Sequence, residues 1–494
     1  MHLYKAVAIF TALSLLPLVP ASATDTKPRV MSGISSDSFG LIINEDSASM
    51  GVTYSGINGL SGEQSSQSNY PCKSLQDSNC KKPEITRFGG IAILSPCSVT
   101  PNQECIDALS AIDKLGVKHI ATYSRSIDAN TFQGDLSKGL PDGGSISLWK
   151  FDQLEGNKEF AIVVAEQISN KPNDLTSFQR TSFKAFVYAY QERVVPQARK
   201  AQPVEVKLSD GRSSINSPGP IGGVDFNCIW VETGRCGAEQ QLDPEIEIQL
   251  SLKVSNTMTG WLQGRLIDPE IQIKALDKAF NLITVKSKPA DVPMVAATIK
   301  MADASEKILG LLKSRGMDIT KGGSFANVYS YTSEAFTYLD AFSKSANDTA
   351  SSKSYQWSFG SLDSRGPNGC LTSKSRLLGL ITTNSMVFEG SPPQFKNGFL
   401  QYKVGGLHNN PDGTAFKGAY DLVIDSAAAR CLYKFSKAPI SAVISVVSSN
   451  GENQVATTTV TEKDNWLHLA AYNFNFSSPT IKIKLKQKAK TKSK

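Results

Sequence analysis

Residues 245–254 read Glu-Ile-Glu-Ile-Gln-Leu-Ser-Leu-Lys-Val. Ile246, Ile248, Leu250, Leu252 and Val254 alternate without a break against Glu245, Glu247, Gln249, Ser251 and Lys253. A period of two places the first set on one face and the second on the other, so the stretch predicts a strand with one dry and one wet face, the pattern of antiparallel sheets. IQIKAL (271–276) and LITVKS (282–287) continue in the same style. Upstream, SFGLIIN (38–44), MGVTYS (50–55), HIATYS (119–124), SISLWKF (145–151) and EFAIVVAE (159–166) read as strands. SFKAFVYAY (182–190) is read as strand for its aromatic alternation, although a helix also fits it.

Downstream the pattern changes. Ala302–Gly316 and Ser324–Lys344 show helical spacing, with Phe325, Val328, Thr332, Phe336, Leu339 and Phe342 along one side of the second. They predict a helical hairpin packed on the sheets, and polar 346–354 reads as a linker. From Tyr355 strands return: LLGLITT, FLQYKVGG, AYDLVID, ISAVISVV, QVATTTV, WLHLAAY and TIKIKLK, with turn signals at 409–413 and 449–451. So many short strands in succession suit a β-sandwich. One further helix is expected near the N-terminus. Thr100 can cap it, Pro101 suits its first position, Gln103 completes a capping box, Ile106, Leu109 and Ile112 line one face, and Gly116 ends it. The expected fold is mainly β and multi-domain: antiparallel sandwich-like domains with a short helical hairpin insertion and local disulfides. The expected division is a signal peptide over 1–23, a β-rich domain with one helix over 24–200 and a second β segment over 201–292. The helical hairpin and linker take 293–350, the C-terminal sandwich 351–487 and a basic tail 488–494.

The first residues, MHLYKAVAIFTALSLLPLVPASATD, combine Lys5, an apolar run from Ala6 to Val19 and the small residues Ala21 and Ala23. That is the composition of a secretory signal, too short for a stop-transfer anchor. Eight cysteines then lie in a chain expected to reach an oxidising compartment. Cys72 and Cys80, Cys97 and Cys105, and Cys228 and Cys236 each stand eight residues apart, which leaves Cys370 and Cys431. Nearest-neighbour pairing among the 105 possibilities gives three short loops and one long one. A metal or redox site is the rival, but no CxxC occurs and His119, His408 and His468 are scattered.

The net charge of +7 is uneven. Without Lys5 it is +6, and KIKLKQKAKTKSK (482–494) holds seven lysines and no acid, so the rest of the mature chain is near −1. Specific nucleic-acid binding loses its electrostatic basis. Lys482, Lys484 and Lys486 would line the exposed face of the last strand. Lys488, Lys490, Lys492 and Lys494 would hang free as a binding element for anionic cell-wall polymers or lipid head groups. The alternative is protection of an edge strand.

Local motifs for catalysis are missing: there is no GxSxG, HExxH, Walker loop or dinucleotide fingerprint, so no cofactor is implied. Ser78 and Lys81 form an SxxK string in a polar loop without its companion motifs. Glu245 and Glu247 are conspicuous carboxylates, yet their alternation with core residues explains them as a solvated face. NNPDGT (409–414) is rich in oxygen ligands but reads better as a turn than as a calcium loop. Trp149, Trp230, Trp261, Trp357 and Trp466 could form a carbohydrate platform, but their apolar settings favour core packing. Trp261 with Arg265 could stack at a strand turn.

GDLSKGLPDGGSISLW (134–149), SNTMTGWLQGRLIDPEI (255–271), TTNSMVFEGSPPQF (382–395), DLVIDSAAARCLYKFSKAPISA (421–442) and EKDNWLHLAAYNFNFSSPTIKIKL (462–485) resemble a family of secreted actinobacterial proteins of unknown function. The resemblance is densest after Cys370. It implies export and a shared C-terminal β domain containing Cys431, and it assigns no catalytic or binding residue. The leading functional expectation is a non-catalytic cell-envelope or extracellular protein, secreted or held at the cell surface. The runner-up is a secreted hydrolase of polysaccharide or peptidoglycan using distributed carboxylates, and a small-ligand carrier comes third. N-terminal sequencing of the exported protein is expected to start at or near Thr24; an intact Met1 would overturn the signal-peptide reading.

Overall fold

The strands of the first 300 residues that position the site include β1 (Ser38–Asn44), β2 (Arg87–Ile93), β3 (Cys105–Ile112), β4 (Glu159–Ser169), β5 (Gln179–Val194), β6 (Glu247–Ser255), β7 (Gly260–Ala275) and β8 (Phe280–Lys300). The computed structural model describes residues 34–44, 54–61, 68–198, 204–207, 213–216, 228–362, 369–372, 376–436, 440–448, 451–476 and 479–487. Strand β6 is the alternating stretch, and Ile246, Ile248, Leu250, Leu252 and Val254 are all buried. Its other face is half-open, where Lys286 meets Glu247 at 3.4 Å and Lys288 meets Glu245 at 3.5 Å. Antiparallel ladders join β6 to β3 on one side and to the first half of β8 on the other.

The helix expected after Thr100 is instead strand β3. Its ladder with β6 slips so that Ser251 faces Ala108 while Leu252 faces Ile106. Asp107 is therefore bulged out and exposed, and the core residues run Ile106, Leu109 and Ala111, an interval of three at the bulge and of two after it. A β-bulge thus imitates the helical interval. The capping box is not made: Gln103 exchanges hydrogen bonds with Asp142, and Thr100 Oγ1 has no partner.

β7 and β8 each change neighbours partway. The second half of β7 pairs with the first half of β8. The first half of β7 joins a different sheet, and the second half of β8 pairs with β1. The expected boundary between residues 292 and 293 falls inside β8, and that at 200 lies outside the described residues.

The second half of the chain adds helix α1 (Glu306–Ser314), β9 (Ser324–Tyr329), helix α2 (Ser333–Phe342), β10 (Ser352–Gln356), β11 (Ser358–Ser361) and β12 (Leu377–Thr383). Then come β13 (Phe399–Gly405), β14 (Gly418–Asp425), helix α3 (Ser426–Tyr433), β15 (Ile440–Val447), β16 (Thr457–Lys463), β17 (Trp466–Phe474) and β18 (Thr480–Gln487). The two helices of the expected hairpin exist, but a strand separates them. Ala326 and Val328 are buried with alternate spacing, and β9 lies parallel to β1. The expected linker over 346–354 runs into β10, which pairs with β8.

Three cores result. Leu250, Leu252, Leu266, Val285, Leu380 and Val423 belong to the one between the β3–β6–β8–β7 sheet and the large sheet. Tyr420, Leu422, Leu467, Leu469, Ile481 and Ile483 belong to the C-terminal sandwich, where β12, β14 and β17 face β13, β15 and β18. Phe39, Leu41, Ile308, Val328 and Phe336 pack α1 and α2 against β1, β8 and β9. Among the described residues no helix is long and apolar enough to cross a membrane.

All four bridges follow the nearest-neighbour pairing: Cys72–Cys80, Cys97–Cys105, Cys228–Cys236 and Cys370–Cys431, with no free cysteine. The last fastens α3, which Asp425 caps through the Ala428 N–H, to the turn at 369–371. Four disulfides point to an oxidising environment. A loop closed over 61 residues constrains the unfolded chain by about 4 kcal/mol, and one closed over eight by about 2.6 kcal/mol. Urea denaturation is therefore expected to show a larger loss for Cys431→Ser than for Cys80→Ser; equal losses would mean that native contacts outweigh chain entropy.

Candidate functional site

β14 and β17 run antiparallel with Asp425 opposite Trp466, Val423 opposite His468 and Asp421 opposite Ala470. Residues directly opposed point the same way, as do alternate residues of one strand. Asp425, Asp421, Trp466, His468 and Tyr472 therefore share the face turned away from the C-terminal sandwich core. Leu467, Leu469 and Ala471 fill that core from the other face. Ala470 is small, and it leaves Asp421 room between His468 and Tyr472.

Asp421 Oδ1 accepts from both neighbours: His468 Nε2 lies at 2.8 Å, and the Tyr472 hydroxyl donates to the same oxygen. Asp421 is 0 % exposed. Burial pushes its carboxyl upward, and the His468 and Tyr472 hydrogen bonds pull back only part of that rise. Burial by itself would lower His468, but the Asp421 hydrogen bond and charge, with Asp268 and Glu270 behind them, carry it above the ordinary histidine value. The other imidazole nitrogen, Nδ1, stands 3.7 Å from Asp268 Oδ1. Asp268 sits where the β7–β8 register shifts between Ile267 and Glu270, and its φ of 52° is left-handed.

At the Asp425 end the same face opens into a cleft of about 240 Å³. Trp466 is half-buried there against Met258, Ile273, Ile283 and Leu377, while Asn256, Asn281, Asn465, Asp464 and Asp425 supply polar groups. Arg376 holds Asp425 at 3.1 Å.

A separate carboxylate pair lies near the far end of β4. Glu166 is 2 % exposed, its Oε1 is 3.0 Å from Arg180 Nε, and Arg180 also grips Glu104 through Nη2. Burial raises Glu166 well above the carboxylate range; Arg180 opposes the rise and Glu104 adds to it. The arrangement meets one requirement of a hydrolase, two close carboxylates with one raised. Arg180 pairs with both carboxylates, which also meet each other directly, and the cleft is lined by neither.

The residues singled out from sequence fall as follows. Glu245 and Glu247 are in surface ion pairs with Lys288 and Lys286. Ser78–Lys81 is one turn of 3-10 helix, and 410–414 is a turn closed by Asp412 on Thr414. Trp149, Trp230, Trp261 and Trp357 are buried, and Trp466 is not. Arg265 does not stack on Trp261; its guanidinium bonds the Thr383 and Ser385 carbonyls and lies 4.4 Å above Phe388. Ile481, Ile483 and Leu485 point inward from β18, with Lys484 and Lys486 exposed. That strand is no simple edge, since β13 and β15 flank it on both sides as far as Ile483. Lys488, Lys490, Lys492 and Lys494 lie outside the described residues. Sequence reading missed the His468 cluster, because its members sit at 268, 421, 468 and 472 and leave no local spacing.

No protein-family model matches this chain, and no curated protein is significantly similar to it.

A carboxyl raised by burial holds its proton in the fold at a pH where the unfolded chain has lost it, so this contribution declines as pH rises through the folded value. Glu166→Gln keeps the shape and cannot ionise. Urea midpoints between about pH 5 and about pH 9 are expected to fall less in Glu166→Gln than in the unsubstituted protein. Parallel curves would show that Glu166 is ionised throughout, neutralised by Arg180.

Proposed function

We propose that this is an exported, non-catalytic protein of the cell envelope or extracellular space, and that it binds surface polysaccharide across the cleft at Trp466. The observation that carries the reading is the composition of that cleft. One tryptophan of five is left partly open, and carboxylate, amide and guanidinium groups surround it. An indole face packs against the C–H face of a sugar ring, and fixed amides and carboxylates bond the hydroxyls at its rim. A volume of about 240 Å³ is below the roughly 300–1,000 Å³ that encloses a small molecule. It suits one stretch of a longer polymer lying across the surface better than a metabolite held inside, which also counts against a carrier.

Export rests on the N-terminal signal pattern and on four bridges that need an oxidising compartment. The exposed lysines of β18 and the basic residues after it would add a weak, salt-sensitive attraction to anionic wall polymers or lipid head groups. The resemblance to secreted actinobacterial proteins agrees with this setting.

The test is cosedimentation with purified peptidoglycan sacculi and with insoluble wall polysaccharide, at low and high salt. Trp466→Ala is expected to weaken binding about tenfold, the equivalent of about 1.4 kcal/mol, and the effect should persist at high salt. Arg376→Ala, half exposed on the rim, is expected to weaken it in the same direction without touching the core. If both variants bind normally and only deletion of residues 488–494 releases the protein, the cleft is not the binding site. Soluble reducing ends accumulating during the incubation would overturn the non-catalytic reading.

A further inference from the structure

Asp268, Asp421 and His468 each bring a ligand-type atom within 4.8 Å of the other two. The distances divide them into two roles. His468 Nε2 and Asp421 Oδ1 are 2.8 Å apart, a hydrogen bond in which the carboxylate accepts from the imidazole. With its proton on Nε2, the ring turns the Nδ1 lone pair toward Asp268. The gap of 3.7 Å from Nδ1 to Asp268 Oδ1 is too long for a hydrogen bond. It is close to the ~3.4 Å that separates two ligands bound about 2.1 Å from one tetrahedral zinc ion.

We propose that His468 Nδ1 and Asp268 hold a divalent transition metal of the zinc class, with Asp421 as the buried carboxylate that orients the imidazole. The side chain of Asp268 is 69 % exposed and that of His468 14 %, so the remaining coordination positions open to solvent on the Asp268 side. A carboxylate accepting the second imidazole N–H is the usual support for a metal-bound histidine. The pairing of imidazole nitrogen with carboxylate oxygen suits zinc, nickel or copper better than calcium or magnesium.

Two further observations support a function beyond packing. Asp421 Oδ2 has no hydrogen-bond partner although the residue is 0 % exposed, and Thr382 Oγ1, opposite Asp421 in the β12–β14 ladder, has none either. A buried carboxylate oxygen without a protein partner is costly unless water or an ion meets it. Asp268 adopts its left-handed conformation at the bulge that aims it toward β17, and such conformations are concentrated at binding sites. This inference stands apart from polysaccharide binding, since neither Asp268 nor His468 lines the cleft.

The experiment uses the full oxidised chain without a histidine tag, stripped with EDTA and titrated with Zn²⁺ by calorimetry and with Co²⁺ by visible absorption. One ion per chain is expected, with Co²⁺ bands showing nitrogen and oxygen ligation. His468→Ala should abolish binding and Asp268→Asn should weaken it at least tenfold. Asp268 is exposed, so its variant does not threaten the fold. Asp421→Asn should weaken binding about 10- to 100-fold, the usual loss for an outer partner. His408→Ala should change nothing; His408 pairs with Asp348 at 2.6 Å elsewhere in the fold. Absence of Zn²⁺ and Co²⁺ binding at millimolar concentration, or binding that His468→Ala and Asp268→Asn leave intact, overturns the site and leaves a hydrogen-bonded structural cluster.

Discussion

The β7–β8 hairpin is the constraint on which the other sheets depend. These strands run 16 and 21 residues, far beyond the usual five or six. Neither could stay in one flat sheet over that length, because strands twist. Each therefore leaves its first neighbours and meets others. β7 passes from the large sheet, beside β11 and β12, into the ladder with β8. β8 passes from β6 to β1 and β10. The break in β7 falls at Asp268 and Pro269, and the transition in β8 contains Pro289 and Pro293. Proline has no N–H for a ladder, so it is tolerated where partners are being exchanged. A one-residue slip here would turn Leu266, Ile271 and Val285 out of the core and displace three sheets together.

How much of this was legible depends on whether local spacing carried the information. In β6 it did, because strict alternation over ten residues admits no other regular structure. Cysteine spacing also sufficed, since short loops favour their own closure. In β3 it did not. The bulge at Asp107 comes from the ladder with β6, more than a hundred residues away, and turns an interval of two into three. The stretch 324–329 was absorbed into the following helix for a related reason. Val328 fits either period, and only pairing with β1 decides between them. Helix α3 has a conventional cap in Asp425 and three alanines after it, but it ends on a left-handed Lys434 where glycine is the usual signal. The strong strand pattern before it runs directly into that cap, with no turn residue between them.

The candidate site was less legible than the fold. Trp466 has the chemistry of a ligand-stacking aromatic, but nothing in its local sequence separates it from the four buried tryptophans. What separates it is position: it opens β17, just past the turn at Asp464 and Asn465, where the ladder meets solvent. His468 seemed isolated because its partners are contributed by β14 and by the bulge in β7. Local spacing finds motifs carried by one element, and this cluster is assembled by three.

That assembly ties the site to the spine. A buried carboxylate such as Asp421 is expensive unless its oxygens are occupied, and only one of them is. Replacing Asp421 by an apolar residue of similar size would complete the seam between β14 and β17 at lower cost, as it does for many buried ion pairs. Packing alone therefore gives no reason for a carboxylate here. An orienting role for His468 does, because the imidazole needs a fixed acceptor on Nε2 if Nδ1 is to be presented at the surface. The bulge that lets β7 leave the large sheet is also what brings Asp268 to that nitrogen. The local irregularity that solves a problem of sheet geometry thus supplies the second ligand, and Trp466 opens the cleft one alternation away on the same strand face.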